Sequence, residues 1–119
     1  MDEITEKWHA LADQPLEAIA LRYSEESTTL IGEVLRRGLG ETESIQFESA
    51  STFADYVVDL RKNEQAWSRR LGDTILQSKE LFDSGDSTEA IAMLAKFVSI
   101  CPWHHFAEIA DVQRQNLMP

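Results

Sequence analysis

A chain of 119 residues with 43% apolar side chains supports one core and leaves no room for a separate catalytic domain. It carries 21 acidic against 11 basic residues, a net charge of −10, and this disfavours direct nucleic-acid binding, because displacing phosphate counterions takes Lys and Arg. No run of about 18 apolar residues is present, and the first residues, M-D-E-I-T-E-K-W, are acidic where a secretory signal is basic and then apolar, so a cytoplasmic protein with no membrane contact is expected.

In chain order, Ile4, Trp8 and Leu11 recur at i, i+4 and i+7, the stripe of a short first helix. Asp13-Gln14-Pro15 breaks it, and Pro15 suits the first position of a second helix carrying Leu16, Ile19, Ala20 and Tyr23. The polar run S-E-E-S-T-T either interrupts that helix or forms its wet middle. Leu30, Ile31, Val34 and Leu35 then lead into R-R-G, whose cations and glycine suit a helix C-terminus. Residues 38–51 are expected to form an irregular acidic loop; Ile45 and Phe47 alternate with polar neighbours, but a lone strand would lack a partner.

Ser51 or Thr52 is placed to cap the next helix, with Phe53, Tyr56, Val57 and Leu60 on one face. The pattern extends through Trp67, Leu71, Ile75, Ser78 and Leu81, with a bend expected near Asn63 or Gly72, and ends at D-S-G, where Gly85 is free to adopt the left-handed conformation. Asp86 and Glu89 have capping-box spacing, opening a helix that buries Ala90, Ile91, Leu94, Phe97, Val98 and Cys101 until Pro102 stops it. A last helix turns Trp103, Phe106, Ala107, Ala110 and Leu117 inward. The expectation is an all-α single domain over residues 1–119, a bundle of five to seven helices.

The run G-D-S-T-E-A-I-A-M-L-A-K-F-V-S-I-C-P resembles the second half of a tetratricopeptide repeat, with Gly85, Ala90, Leu94 and Pro102 in the register of that family's turn glycine, small alanine, large apolar residue and closing proline. The resemblance spans about residues 73–102. The family's first-helix signature, W-x2-L-G-x2-Y, is absent near Thr74, W-S-R-R-L-G at Trp67 stands in another phase, and residues 1–60 hold no second copy. What the resemblance implies is a helical hairpin whose groove suits protein partners; it brings no catalytic residue.

Three constellations could carry chemistry. Cys101, His104 and Glu108 offer sulfur, nitrogen and oxygen ligands within two turns, but a fourth ligand such as His9 must come from far away. Cys101 as a nucleophile beside His104 or His105 sits at a helix C-terminus, where the dipole disfavours a thiolate. Asp55 and Asp59, one turn apart, have no neighbouring base to complete an acid–base pair. No enzyme activity, metal or cofactor is therefore expected, and the lone Cys101, unable to form an internal disulfide, fits a reducing compartment.

The charge is unevenly placed: residues 1–60 hold 13 acidic and 4 basic side chains, a net of −9, against 8 and 7, a net of −1, in residues 61–119. Small acidic single-domain chains of this kind look like the bacterial immunity proteins that block nuclease toxins, a likeness of class that rests on no shared motif. It implies a basic protein partner, a toxin domain as candidate, held by Glu41, Glu43, Glu48, Asp55 and Asp59, with Glu25, Glu26 and Glu33 as a second group. Two alternatives stand beside it. One is a tetratricopeptide-like adaptor or chaperone that holds a peptide or helix against aromatics such as Tyr56, Trp67, Trp103 or Phe106; the other is a phage-type DNA mimic with carboxylates at phosphate-like spacing.

Overall fold

Residues 2–119 are described by the computed structural model, which is helical throughout apart from short connections and one irregular segment. Six α-helices follow in order: α1 (Glu3–Ala12), α2 (Leu16–Leu21), α3 (Glu25–Val34), α4 (Ala50–Asp83), α5 (Ser87–Ile100) and α6 (His104–Leu117), with a π-helical turn at Leu35–Leu39. No strand forms among the described residues, so the all-α expectation holds. None of these helices is long and apolar enough to cross a membrane. By contacts the chain divides into two compact units, Met1–Glu64 and Gln65–Pro119, with α4 supplying residues to each.

In the first unit, Asp2 caps α1 by accepting the Thr5 amide at 2.9 Å, and Trp8, Leu11 and Ala12 form the buried stripe of that helix. Pro15 turns out to be the N-cap of α2, one residue before the expected position, and Tyr23 lies beyond the helix end. The polar run resolves as an interruption: Ser24 and Ser27 form a reciprocal capping box that starts α3 afresh. The glycine that ends this stretch is Gly40, not Gly38. The π-turn carries the helix two residues further than expected, and Gly40 then takes a left-handed φ of 70° while Glu41 N–H closes back on the Leu35 carbonyl. The core here is Trp8, Leu11, Ile19, Ile31, Val34, Leu35, Phe53, Ala54 and Val57, all buried, with α1 packed on α3.

The start of α4 is set by Ser49 rather than by Ser51 or Thr52, its hydroxyl accepting the Thr52 amide at 3.2 Å. No break occurs at Asn63 or Gly72; all 34 residues stay helical, since Gly72 lies on the exposed side and costs only its own propensity.

The second unit is two consecutive helical hairpins. Asp86 N–H bonds to the Leu81 carbonyl and Gly85 N–H to that of Phe82, a Schellman turn made possible by the φ of 94° at Gly85. The Asp86 carboxylate then caps α5 by accepting the Glu89 amide at 3.2 Å. Ala90, Leu94, Phe97 and Cys101 are buried, whereas Ile91 and Val98 are only half-buried, because each stands one residue, about 100° of rotation, off that stripe. Leu71, Trp103, Ala110 and Ser78 complete the core, the Ser78 hydroxyl being satisfied by the Ile75 carbonyl at 2.8 Å. Of the residues expected to face inward from α6, Phe106, Ala107 and Leu117 are half-buried.

Candidate functional site

The irregular segment between Gly40 and Ala50 is built on one anchored ring. Phe47 lies within 5.1 Å of Phe53, 5.3 Å of Tyr56 and 6.3 Å of Tyr23 (ring centroids), and its carbonyl accepts the Tyr23 hydroxyl at 3.0 Å. The alternation legible in the sequence is present without a sheet: Ile45 and Phe47 are half-buried, while Glu41, Glu43 and Glu48 are exposed. The Tyr56 phenol is held above its ordinary range by burial and by the nearby Glu41 charge.

Asp55 and Asp59 are exposed because the opposite face of α4 buries Phe53 and Val57, two residues from each. Glu25 and Glu26 are exposed in the first turn of α3, where the helix dipole favours negative charge. Glu33 differs. Its carboxylate is bound by Arg36 and by Arg37 at 3.4 Å, so it is turned to internal pairing. Among the described residues the other seven carboxylates form no ion pair, while Lys7, Arg36, Arg37 and Arg61 are bound by Glu3, Glu33, Asp2, Asp13 and Glu64. Among the described residues those seven are thus free of ion pairs, Glu26 acting on Lys7 only at longer range, and Arg22 and Lys62 form none either.

One cluster has no local signature in the sequence. Glu64 Oε1 accepts Trp8 Nε1 at 3.0 Å and the Arg61 guanidinium at 2.5 Å, and His9 Nε2 stands 3.3 Å away. Arg61 also donates to both oxygens of Asp13, at 2.9 and 3.4 Å. That hydrogen bond holds the Asp13 carboxyl below its ordinary range. The Glu64 and Arg61 side chains are only 13% and 17% exposed, so the cluster fastens α1 to α4.

In the second unit, Cys101 is buried and its thiol lies 3.5 Å from the Trp103 carbonyl; burial raises it above the ordinary thiol range. His104 and His105 are exposed at the start of α6, as is Glu108 one turn on. Among the described residues no three His, Cys, Asp or Glu side chains are gathered as ligands. Of the aromatics weighed for a groove, Trp103 is buried, and Tyr56, Trp67 and Phe106 are half-buried. A groove of about 550 Å³ does run between α4 and α5, lined by Arg70, Asp73, Thr74 and Gln77 on one side and by Glu89, Ala92, Met93, Lys96, Phe97 and Ile100 on the other.

The chain matches no protein-family model, no curated protein and no solved structure.

Proposed function

We propose that this chain is a cytoplasmic binding protein that captures a basic protein partner, in the manner of a bacterial immunity protein neutralising a cationic, nuclease-type toxin. The observation that carries the reading is the division of charge in the first unit: the cations there are mostly consumed by Glu3, Glu33, Asp2, Asp13 and Glu64, while Glu41, Glu43, Glu48, Asp55, Asp59, Glu25 and Glu26 stay exposed and unpaired. Exposed carboxylates without an ion pair raise the local concentration of cationic partners and speed association. The anchoring of Phe47 lowers the ordering cost of that segment on binding.

The reading assigns binding, not catalysis. Its test is the affinity for basic proteins encoded beside the gene, measured from roughly 0.05 M to 0.5 M salt. Affinity should fall by more than about tenfold over that range. The triple variant E41K/E43K/E48K should weaken it further, and E33Q should not. Capture that is indifferent to salt would overturn the reading and favour an apolar groove, as in a tetratricopeptide-like adaptor.

A further inference from the structure

The groove between α4 and α5 has a direction. Trp67 meets Phe97 at 5.8 Å and the Arg70 guanidinium lies 4.8 Å over the Trp67 ring, so Arg70 stands toward the C-terminal end of α5. Arg70 and Lys96 therefore make that end cationic, while Glu89, beside the capping carboxylate of Asp86, makes the opposite end anionic. Between them the α5 rim is apolar, with exposed Ala92 and half-buried Met93, and Ile100, 41% exposed, stands beyond Lys96 at the cationic end.

We propose that a second copy of the chain covers this groove, its α5 lying antiparallel to the first. A surface with one cationic and one anionic end complements itself under a two-fold rotation. Glu89 and Lys96 are seven residues apart, two helical turns, so placing Glu89 of each copy against Lys96 of the other forms two equivalent ion pairs. The same register sets Ala92 opposite Met93 across the axis, a small residue against a long flexible one, which allows close approach. Asp73, on the α4 rim next to Arg70, is the carboxylate that opposes the arrangement, and Arg70 and Lys96 outnumber it.

The distribution of charge also favours this unit for self-association. Residues 65–119 hold seven acidic and five basic side chains, a net of −2, whereas residues 1–64 hold fourteen and six, a net of −8. A contact made by the second unit brings together surfaces that carry far less like charge than those of the first. The surface is small, so the dimer belongs to the weak, concentration-dependent class.

Sedimentation velocity of the full chain tests the proposal. A monomer–dimer equilibrium is expected below about 1 mM. Lys96→Glu and Glu89→Lys, both at exposed positions, should each weaken dimerisation by about tenfold or more, and the double variant E89K/K96E should return it to near the starting value. Circular dichroism verifies that each variant is folded. If a reversal disturbs folding, Ala92→Cys decides instead, since residues beside the axis should oxidise to a covalent dimer. A chain that stays monomeric, a dimer indifferent to both reversals, or a double variant without recovery would each overturn the proposal. None of these changes touches the first-unit carboxylates, so the salt-dependent capture of a basic partner stands or falls separately.

Discussion

In the first unit the Glu64 carboxylate gathers Trp8, His9 and Arg61, whereas in the second Trp67 meets Phe97 edge to face and Arg70 lies 4.8 Å over the indole. Both arrangements bring a tryptophan and an arginine together on α4, but by different physics. The first depends on a shielded ion pair whose removal strands its partners; the second depends on apolar area, dispersion and a cation resting on a ring. A protein with so much uncompensated charge on its first unit thus fastens that unit with charge, and keeps its second unit nearly neutral and apolar.

The largest effect that tests this contrast is in the second unit. Phe97→Ala should cost about 3–5 kcal/mol in chemical denaturation, with no dependence on salt, because Phe97, at the floor of the groove, is only 2% exposed and its loss leaves a cavity. Next comes Glu64→Ala, expected to cost about 2–3 kcal/mol by leaving the indole N–H without its acceptor and the shielded guanidinium with the half-exposed Asp13 alone. A loss below about 0.5 kcal/mol would mean that the cluster is an ordinary surface pair and would erase the contrast. Gly72→Ala should raise stability by about 0.5–1 kcal/mol, since the added methyl meets no neighbouring atom within 4 Å and the site is helical and exposed.

The smallest effect is Asp13→Asn, about 0–1 kcal/mol near neutrality, because that carboxylate is half exposed. Its pH dependence is the sharper readout. Arg61 lowers the folded-state value of Asp13, so its contribution is complete above the ordinary carboxylate range and lost as pH falls through the lowered value. Acid titration of stability should therefore bring wild type and D13N together at low pH. A gap that persists there would remove Arg61 as the cause.

What could be read from sequence follows the reach of each signal. Periodicity over a few turns placed Trp8, Leu11, Phe53, Val57, Leu94 and Phe97 inside, and the Gly85 turn with its Asp86 cap was legible because the chemistry is local. Helix ends were displaced where two competent caps stand close together: Ser49 wins over Ser51 and Thr52, and Gly40 over Gly38. The exposure of Glu41, Glu43, Glu48, Asp55 and Asp59 was legible from their place between apolar residues. The commitment of Glu33 to Arg36 and Arg37 could have been found at i+3 and i+4 spacing. The partners of Glu64 could not, because Trp8 lies 56 residues away and no pattern of spacing encodes that meeting.

That separation bears on the order in which the chain becomes structured. The Trp8–Glu64 and Asp13–Arg61 bonds close loops of 56 and 48 residues, whereas each hairpin of the second unit joins neighbouring helices through a turn. Long closures carry more entropy and slow the step that makes them. During synthesis α3 is available for α1 to pack on early, but the bonds that fasten Trp8 and Asp13 wait until Arg61 and Glu64 have left the ribosome, so the polar clasp of α1 is closed late.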